Sequence, residues 1–427
     1  MFKIITKVRK FVNRLSSIIE IIIEIYILML YNSRMEKKDY LQLFERELFE
    51  SCVPFWLKHG YDTVNGGMYT SLDREGNIYS TDKGVWMQGR AGYMFSRMAN
   101  AFGKKEYLPV AKSCIDFINA HCIDSDGRMY FTVTADGKPL RKRRYMFSET
   151  FYIIACAEYY KATGDDECLQ NARKYYDFCL GMYRDPSTDP YKITPKSVPG
   201  TRDSKALNLP MILLNVTCVL RDCDKENVAY YDKVAKELVE DIKAFNVKDT
   251  GFMLESIGIN GEYYRESAGA RVVNPGHSIE LSWFLLDQAL YTKDEELLNF
   301  ARRVFDTAFE FGWDEVYGGI LYFKDFEGFP VEAYEHDMKL WWPHNEAIIA
   351  SLKLYKETGN DNYFSIFERV VEYAFDRFSD FKYGEWYGYL RRDGKPTEPP
   401  CKGHTYKGPF HVLRMLTIVI EILREIA

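Results

Sequence analysis

"WWPHNEAIIASLKLYKETG" (341–359) runs directly into "NDNYFSIFERVVEYAFDRF" (360–378), and this tandem decides the fold. In the second half Phe364, Phe367, Val371, Ala374 and Phe378 recur every three or four residues, which predicts a helix with one inward stripe. The first half is apolar nearly all round, as expected for a helix surrounded by others. The same two-part unit reappears as "NPGHSIELSWFLLDQALYT" (274–292) followed by "KDEELLNFARRVFDTAFEFG" (293–312). Prolines recur near the starts of these first helices, at Pro210, Pro275, Pro343 and Pro409, spaced 65, 68 and 66 residues apart. Proline is tolerated there because a first-turn amide has no partner inside its own helix.

Glycine-rich segments fall between the helix pairs: "NGGMYTSLDREGNIY" (65–79), "DGRMYFTVTADGKP" (126–139), "TGFMLESIGINGEYY" (250–264), "GGILYFKDFEGFP" (318–330) and "GEWYGYLRRDGKP" (384–396). Each alternates aromatic and aliphatic residues up to a turn glycine, the pattern of a tight hairpin. The turn glycines Gly76, Gly137, Gly261, Gly328 and Gly394 lie 61, 124, 67 and 66 residues apart, and 124 is two repeats with one hairpin missing. The gap falls in the irregular stretch 181–204. A unit of 60 to 68 residues, six times over, excludes the solenoids built on repeats of about 33 residues. It predicts an all-α fold, a closed (α/α)6 barrel of six inner and six outer helices. Hairpins then lead into the inner helices at one end, where a site is expected.

Composition narrows the function. A net charge of −6 argues against nucleic acid and against an anionic membrane surface. The nine cysteines include no CxxC pair, and the spacings Cys114/Cys122 and Cys218/Cys223 suit neither zinc nor a disulfide framework. They read as reduced thiols of a cytoplasmic protein. No P-loop and no strand-linked GxGxxG is present. Residues 1–34 begin basic and apolar, but Glu20 and Glu24 interrupt the run, leaving too short a stretch to span a bilayer. The expectation is a leader outside the fold, translation starting at Met35, and a single domain over 35–427.

The predicted inner-helix starts carry Arg90 in "WMQGR", Glu149 in "FSETF", His277 and Glu280 in "NPGHSIE", Lys339, His344 and Glu346 in "KLWWPHNE", and Lys407, His411 and Arg414 in "KGPFHVLR". Singly, each has an ordinary reading as a cap, a first-turn anion or a surface charge. Together they place ionisable groups where a closed barrel converges. A pair of glutamates would serve glycoside hydrolysis, but that chemistry has no need of histidines. Inverting a carbon beside an aldehyde needs one group to take a proton from one face and another to return one to the opposite face. Two histidines can hold those opposite states near neutral pH. Glutamates one turn away can orient the rings, and arginine can hold the developing enolate oxygen. No metal enters this scheme.

"KLWWPHNEA", "GEWYGYLRRDGKP", "KGPFHVLR", "NPGHSIE", "FSETF" and "LPMILL" together resemble the N-acylglucosamine 2-epimerase family, from Met35 to the C-terminus. The resemblance implies interconversion of N-acetylglucosamine and N-acetylmannosamine by a two-base route on a closed barrel of helix pairs. By motif, the proton-transfer histidines fall on His277 and His411, with Arg90, Glu280 and Glu346 in support and Arg414 touching substrate. Glu149, Lys339, His344, Asn208 and Trp342 are further candidates for substrate binding. Relatives acting on cellobiose or mannose tend to carry an additional histidine where this chain reads "LNLPMILL" (207–214), and the cellobiose group usually has "WWPQ" where it reads "WWPH". Both differences favour the N-acyl branch over a cellobiose 2-epimerase or a mannose isomerase; an (α/α)6 glycoside hydrolase is the more remote alternative. Leu413 departs from the proline of close relatives. The resemblance also implies a homodimer needing no cofactor, with ATP as an activator that is not consumed.

Overall fold

The computed structural model describes residues 35–143, 145–191, 198 and 200–427; the expected leader, 1–34, lies outside the described residues. Twelve long helices alternate along the described chain. The odd-numbered ones are α1 (Lys37–Arg46, continued as helical turns to Gly60), α3 (Leu108–His121), α5 (Asp166–Arg184), α7 (Val228–Lys243), α9 (Glu295–Gly312) and α11 (Asp361–Arg377). The even-numbered ones are α2 (Val85–Phe102), α4 (Phe147–Thr163), α6 (Asn208–Cys223), α8 (Pro275–Thr292), α10 (Trp341–Thr358) and α12 (His411–Ile426).

Each even helix packs on the next, and α12 returns to α2, so the six form a closed ring. The odd helices pack on the outside of that ring. Sequence character assigns the layers. The even helices α8 and α10 are buried over most of their circumference, whereas α11 buries only one stripe, including Phe367, Val371 and Ala374. The extension of α1 carries Pro54, whose missing N–H breaks the i→i−4 ladder; π-turns at Glu47–Cys52 and Trp56–Gly60 flank it. Among the described residues no helix is long and apolar enough to cross a membrane.

All five turn glycines of the hairpins have positive φ, between 80° and 92°. The ladders inside the hairpins are minimal, because their strands also pair with neighbouring units. The strand entering an even helix joins the hairpin of the following unit. Lys83–Gly84 pairs with Thr132–Val133, Ser204–Ala206 with Ser256–Gly258, Val272–Val273 with Lys324–Asp325, and Lys339–Leu340 with Tyr389–Leu390, all antiparallel. The unit lacking a hairpin therefore still supplies a strand, Ser204–Ala206. A bridge between Asp73 and Cys401 ties the first hairpin to the segment before α12. The hairpin end of the ring is thus stitched from unit to unit.

Candidate functional site

The site is assembled from the first two turns of the even helices. Asn274 caps α8, its Oδ1 accepting from the His277 backbone N–H at 3.1 Å, and Pro275 fills the first position. His277 is thereby fixed at the start of α8. Its Nδ1 lies 2.9 Å from the Glu255 carboxylate. Glu255 belongs to the hairpin before α8 and is held in place there: its N–H donates to Val272 O and its C=O accepts from Leu207 N–H, both at 3.1 Å.

His411 opens α12 and is buried. Its Nδ1 is 2.8 Å from Glu346 Oε1. Glu346, fully buried on α10, also accepts from Trp283 Nε1 at 2.9 Å and from the Arg414 guanidinium at 2.7 Å. Arg414 reaches Glu280 as well, so one guanidinium bridges carboxylates from α8 and α10. Because α8 and α12 are separated by α10 in the ring, the Glu280–Arg414 pair crosses the enclosed space.

The Trp342 indole packs beside both imidazoles, 5.0 Å from the His277 ring and 5.8 Å from the His411 ring, both tilted by less than 40°. With each Nδ1 engaged by a carboxylate, the Nε2 atoms are the ones left for a ligand. Arg90 lies under this group on α2, its guanidinium within 5 Å of the Trp86, Phe151 and Phe410 rings and its Nε without a partner.

The two histidines are pushed in opposite directions. Burial pulls His277 down, but the charge and hydrogen bond of Glu255 outweigh it and leave the ring raised above its ordinary 6.5. His411 is held well below 6.5 by burial and by the guanidiniums of Arg414 and Arg90. The pair is thus one imidazole with a raised proton affinity, suited to act as acid, and one with a lowered affinity, suited to act as base. Burial raises Glu346 while Arg414 opposes it.

The six predicted groups Arg90, His277, Glu280, Glu346, His411 and Arg414 converge, with Trp342 in contact with both histidines. Asn208 stands at the first position of α6 with its Oδ1 buried and unpartnered. The structure keeps three other candidates out of the cluster. Lys339, in the strand before α10, is fully buried and donates to Asp314 at 2.9 Å and to Gly318 O at 2.6 Å. His344 donates from Nδ1 to Leu340 O and accepts at Nε2 from Ile320 N–H, so it clamps hairpin to helix; burial keeps it neutral, down to about 3. Glu149 accepts from Arg128 Nε at 2.7 Å and from Met129 N–H at 2.9 Å. Lys407 likewise turns away, onto Glu385.

Two contributors escape the sequence reading. Glu255, rather than Glu280, is the partner of His277; it is a lone carboxylate in a hairpin, and nothing in its spacing marks it. Trp283 is not among the sequence candidates, yet its indole N–H donates to Glu346. Among the described residues Glu280, Glu346 and His411 bring a ligand atom each within 4.8 Å of one another, the one such grouping. The Arg414 guanidinium already bridges both of its carboxylates.

The model of the N-acylglucosamine 2-epimerase (GlcNAc 2-epimerase) family matches residues 67–412. The N-acylglucosamine 2-epimerase of Bos taurus is 36% identical over 387 residues, covering 89% of this chain and 90% of that protein. The cellobiose 2-epimerase of Eubacterium cellulosolvens is more distant, 24% identical over 404 residues, covering 89% of this chain and 97% of that protein. In shape, the solved cellobiose 2-epimerase of Spirochaeta thermophila matches 91% of this chain and 98% of its own with a TM-score of 0.78 at 21% identity, which speaks to the fold alone. The family match over most of the chain and the identity to the bovine protein agree with the site built above: the chain belongs to the N-acylglucosamine 2-epimerase family.

Proposed function

We propose that the protein is an isomerase that interconverts N-acetyl-D-glucosamine and N-acetyl-D-mannosamine on a closed (α/α)6 barrel. The observation that carries this reading is the pair of imidazoles packed against Trp342, each with Nδ1 tied to a carboxylate, one shifted up and the other down in proton affinity. The sugar opens to its aldehyde form, and the carbon next to the aldehyde sits between the two Nε2 atoms. In one direction neutral His411 removes the proton from that carbon. The electron pair moves through the C–C bond onto the aldehyde oxygen, giving an enolate. Arg90 and Arg414 are the cations placed to balance that charge. Protonated His277 then delivers its Nε2 proton to the opposite face, and the configuration inverts. In the other direction the roles exchange.

Glu255 and Glu346 fix the tautomers by accepting the Nδ1 protons, which keeps each Nε2 on the reaction coordinate. The greater likeness to an N-acylglucosamine 2-epimerase than to a cellobiose 2-epimerase supports an amino sugar over a disaccharide. A reducing, cytoplasmic setting fits the nine free thiols.

The test is proton NMR of the protein with N-acetylmannosamine in deuterium oxide. The expected result is N-acetylglucosamine carrying deuterium at the carbon beside the anomeric one. Product formed without label would remove the proton-transfer mechanism, and turnover of mannose or cellobiose alone would remove the substrate assignment.

A further inference from the structure

Each even helix supplies one side chain at a matching level of its first two turns, and two of the six are uncharged. Arg90, Glu280, Glu346 and Arg414 supply four positions; α4 and α6 supply Phe151 and Ile212. Phe151 is placed by the Arg90 guanidinium 4.2 Å from its ring centroid and by the Phe410 ring at 5.3 Å. Ile212 lies one turn beyond Asn208, so the two share a face of α6. The remaining faces of α6 pack against α4, α7 and α8. Met211, Leu213 and Leu214 are buried in those contacts, whereas Asn208 and Ile212 stay partly accessible. Their shared face is therefore the one turned towards the enclosed space.

The substituents of the reacting carbon have to fit among these six side chains. With a histidine over each face, the acylamino group must leave sideways. It brings one N–H donor and a small apolar tail. Asn208 Oδ1 is a buried acceptor with no donor, an unfavourable state that a ligand N–H relieves. The apolar tail needs a wall without charges, and only the α4–α6 sector offers one.

Resting on the activity given above, we propose that α4 and α6 form an acyl-reading sector: Asn208 Oδ1 accepts the substrate amide N–H, and Ile212 and Phe151 cover the acyl methyl. Selectivity for an N-acyl sugar over one with a hydroxyl at the same carbon then resides here, apart from the proton-transfer machinery. A hydroxyl would leave the apolar wall facing water.

The experiment measures kcat/KM for N-acetyl-, N-propanoyl- and N-butanoyl-mannosamine with the wild-type protein and Ile212→Ala. The wild type should lose activity as the acyl chain lengthens. Ile212→Ala should raise the butanoyl-to-acetyl ratio at least tenfold, because the lost methyls make room. Ile212→Val, a smaller change that spares the fold, should move the ratio in the same direction by about threefold. Asn208→Leu should raise KM for N-acetylmannosamine at least tenfold with little loss of kcat. An unchanged acyl ratio in both Ile212 variants overturns the proposal while leaving the epimerase reading intact. A wild-type protein inactive on all three sugars overturns the epimerase reading itself, and this proposal with it.

Discussion

Two histidines of one chemical type are given opposite tasks by what stands behind them. Glu255 behind His277 and two guanidiniums near His411 split their affinities for protons. The pH profile follows from the signs. His411 must be neutral to act as base, and its lowered value keeps it so until pH falls below 6.5. His277 must be protonated to act as acid, and its raised value keeps it so until pH rises above 6.5. For the direction in which His411 is the base, kcat/KM should therefore be bell-shaped, with the acidic limb below 6.5 and the basic limb above it. Glu255→Gln should move the basic limb down, since a neutral amide no longer favours the imidazolium; an unmoved limb would show that His277 does not set it. His277→Asn and His411→Asn should each cost roughly 10²–10⁴-fold in turnover. Each single variant should still exchange the carbon-bound proton of one epimer with solvent, because one base remains. The histidines were legible because they recur at matching places in a repeat. Glu255 was not, because a hairpin carboxylate gains its role only when folding brings that hairpin beside α8.

Helix starts are addresses along the chain, but a site is defined by direction around a helix. Lys339 and His344 share the address of Trp342 and Glu346 and point elsewhere. Lys339 precedes α10 and belongs to a device that recurs at the hairpin end. Lys83 donates to Asp62, Gly66 O and Ala135 O, and Lys339 donates to Asp314, Gly318 O and Arg392 O. In both units a fully buried ammonium ties an even-helix start to its own hairpin and to the next. Lys339→Met should destabilise the protein by about 3–5 kcal/mol, the cost of leaving Asp314 buried beside an apolar chain, with Arg392 recovering part of it; urea unfolding measures this. Gly276 is a second constraint at this scale. A Cβ there would come within 2.7 Å of the Trp342 ring and 2.8 Å of Pro343. Gly276→Ala should lower kcat by displacing Trp342 from its contact with both histidines, with a smaller effect on the unfolding temperature. The helix pairs and turn glycines were readable from periodicity and spacing. The pairing of strands between units was not, since two-residue ladders carry no pattern of their own.

Across the whole molecule the two ends of the ring are closed by different means. At the end away from the hairpins, every seam between neighbouring even helices carries at least one side-chain link. Asn100 meets Glu158, Lys161 meets Asp222, Arg221 meets Gln288, Asp287 meets Lys353, Lys356 meets Glu425, and Glu421 meets Arg97. The last link joins α12 to α2, the one seam where chain continuity does not help. Arg97→Met should lower stability by about 1 kcal/mol, as expected for a half-exposed pair, while leaving kcat unchanged, because the hairpin end is stitched separately.

Lys37, at the start of α1, stacks over Tyr355 in the last turn of α10, and Glu425, at the end of α12, pairs with Lys356 beside it. Both ends of the described chain therefore emerge on the face opposite the histidines. A tag, a fused protein or a solid support attached at Ala427 would hang from the back of the molecule, so the catalyst could be tethered by its tail with its opening turned to the sugar solution.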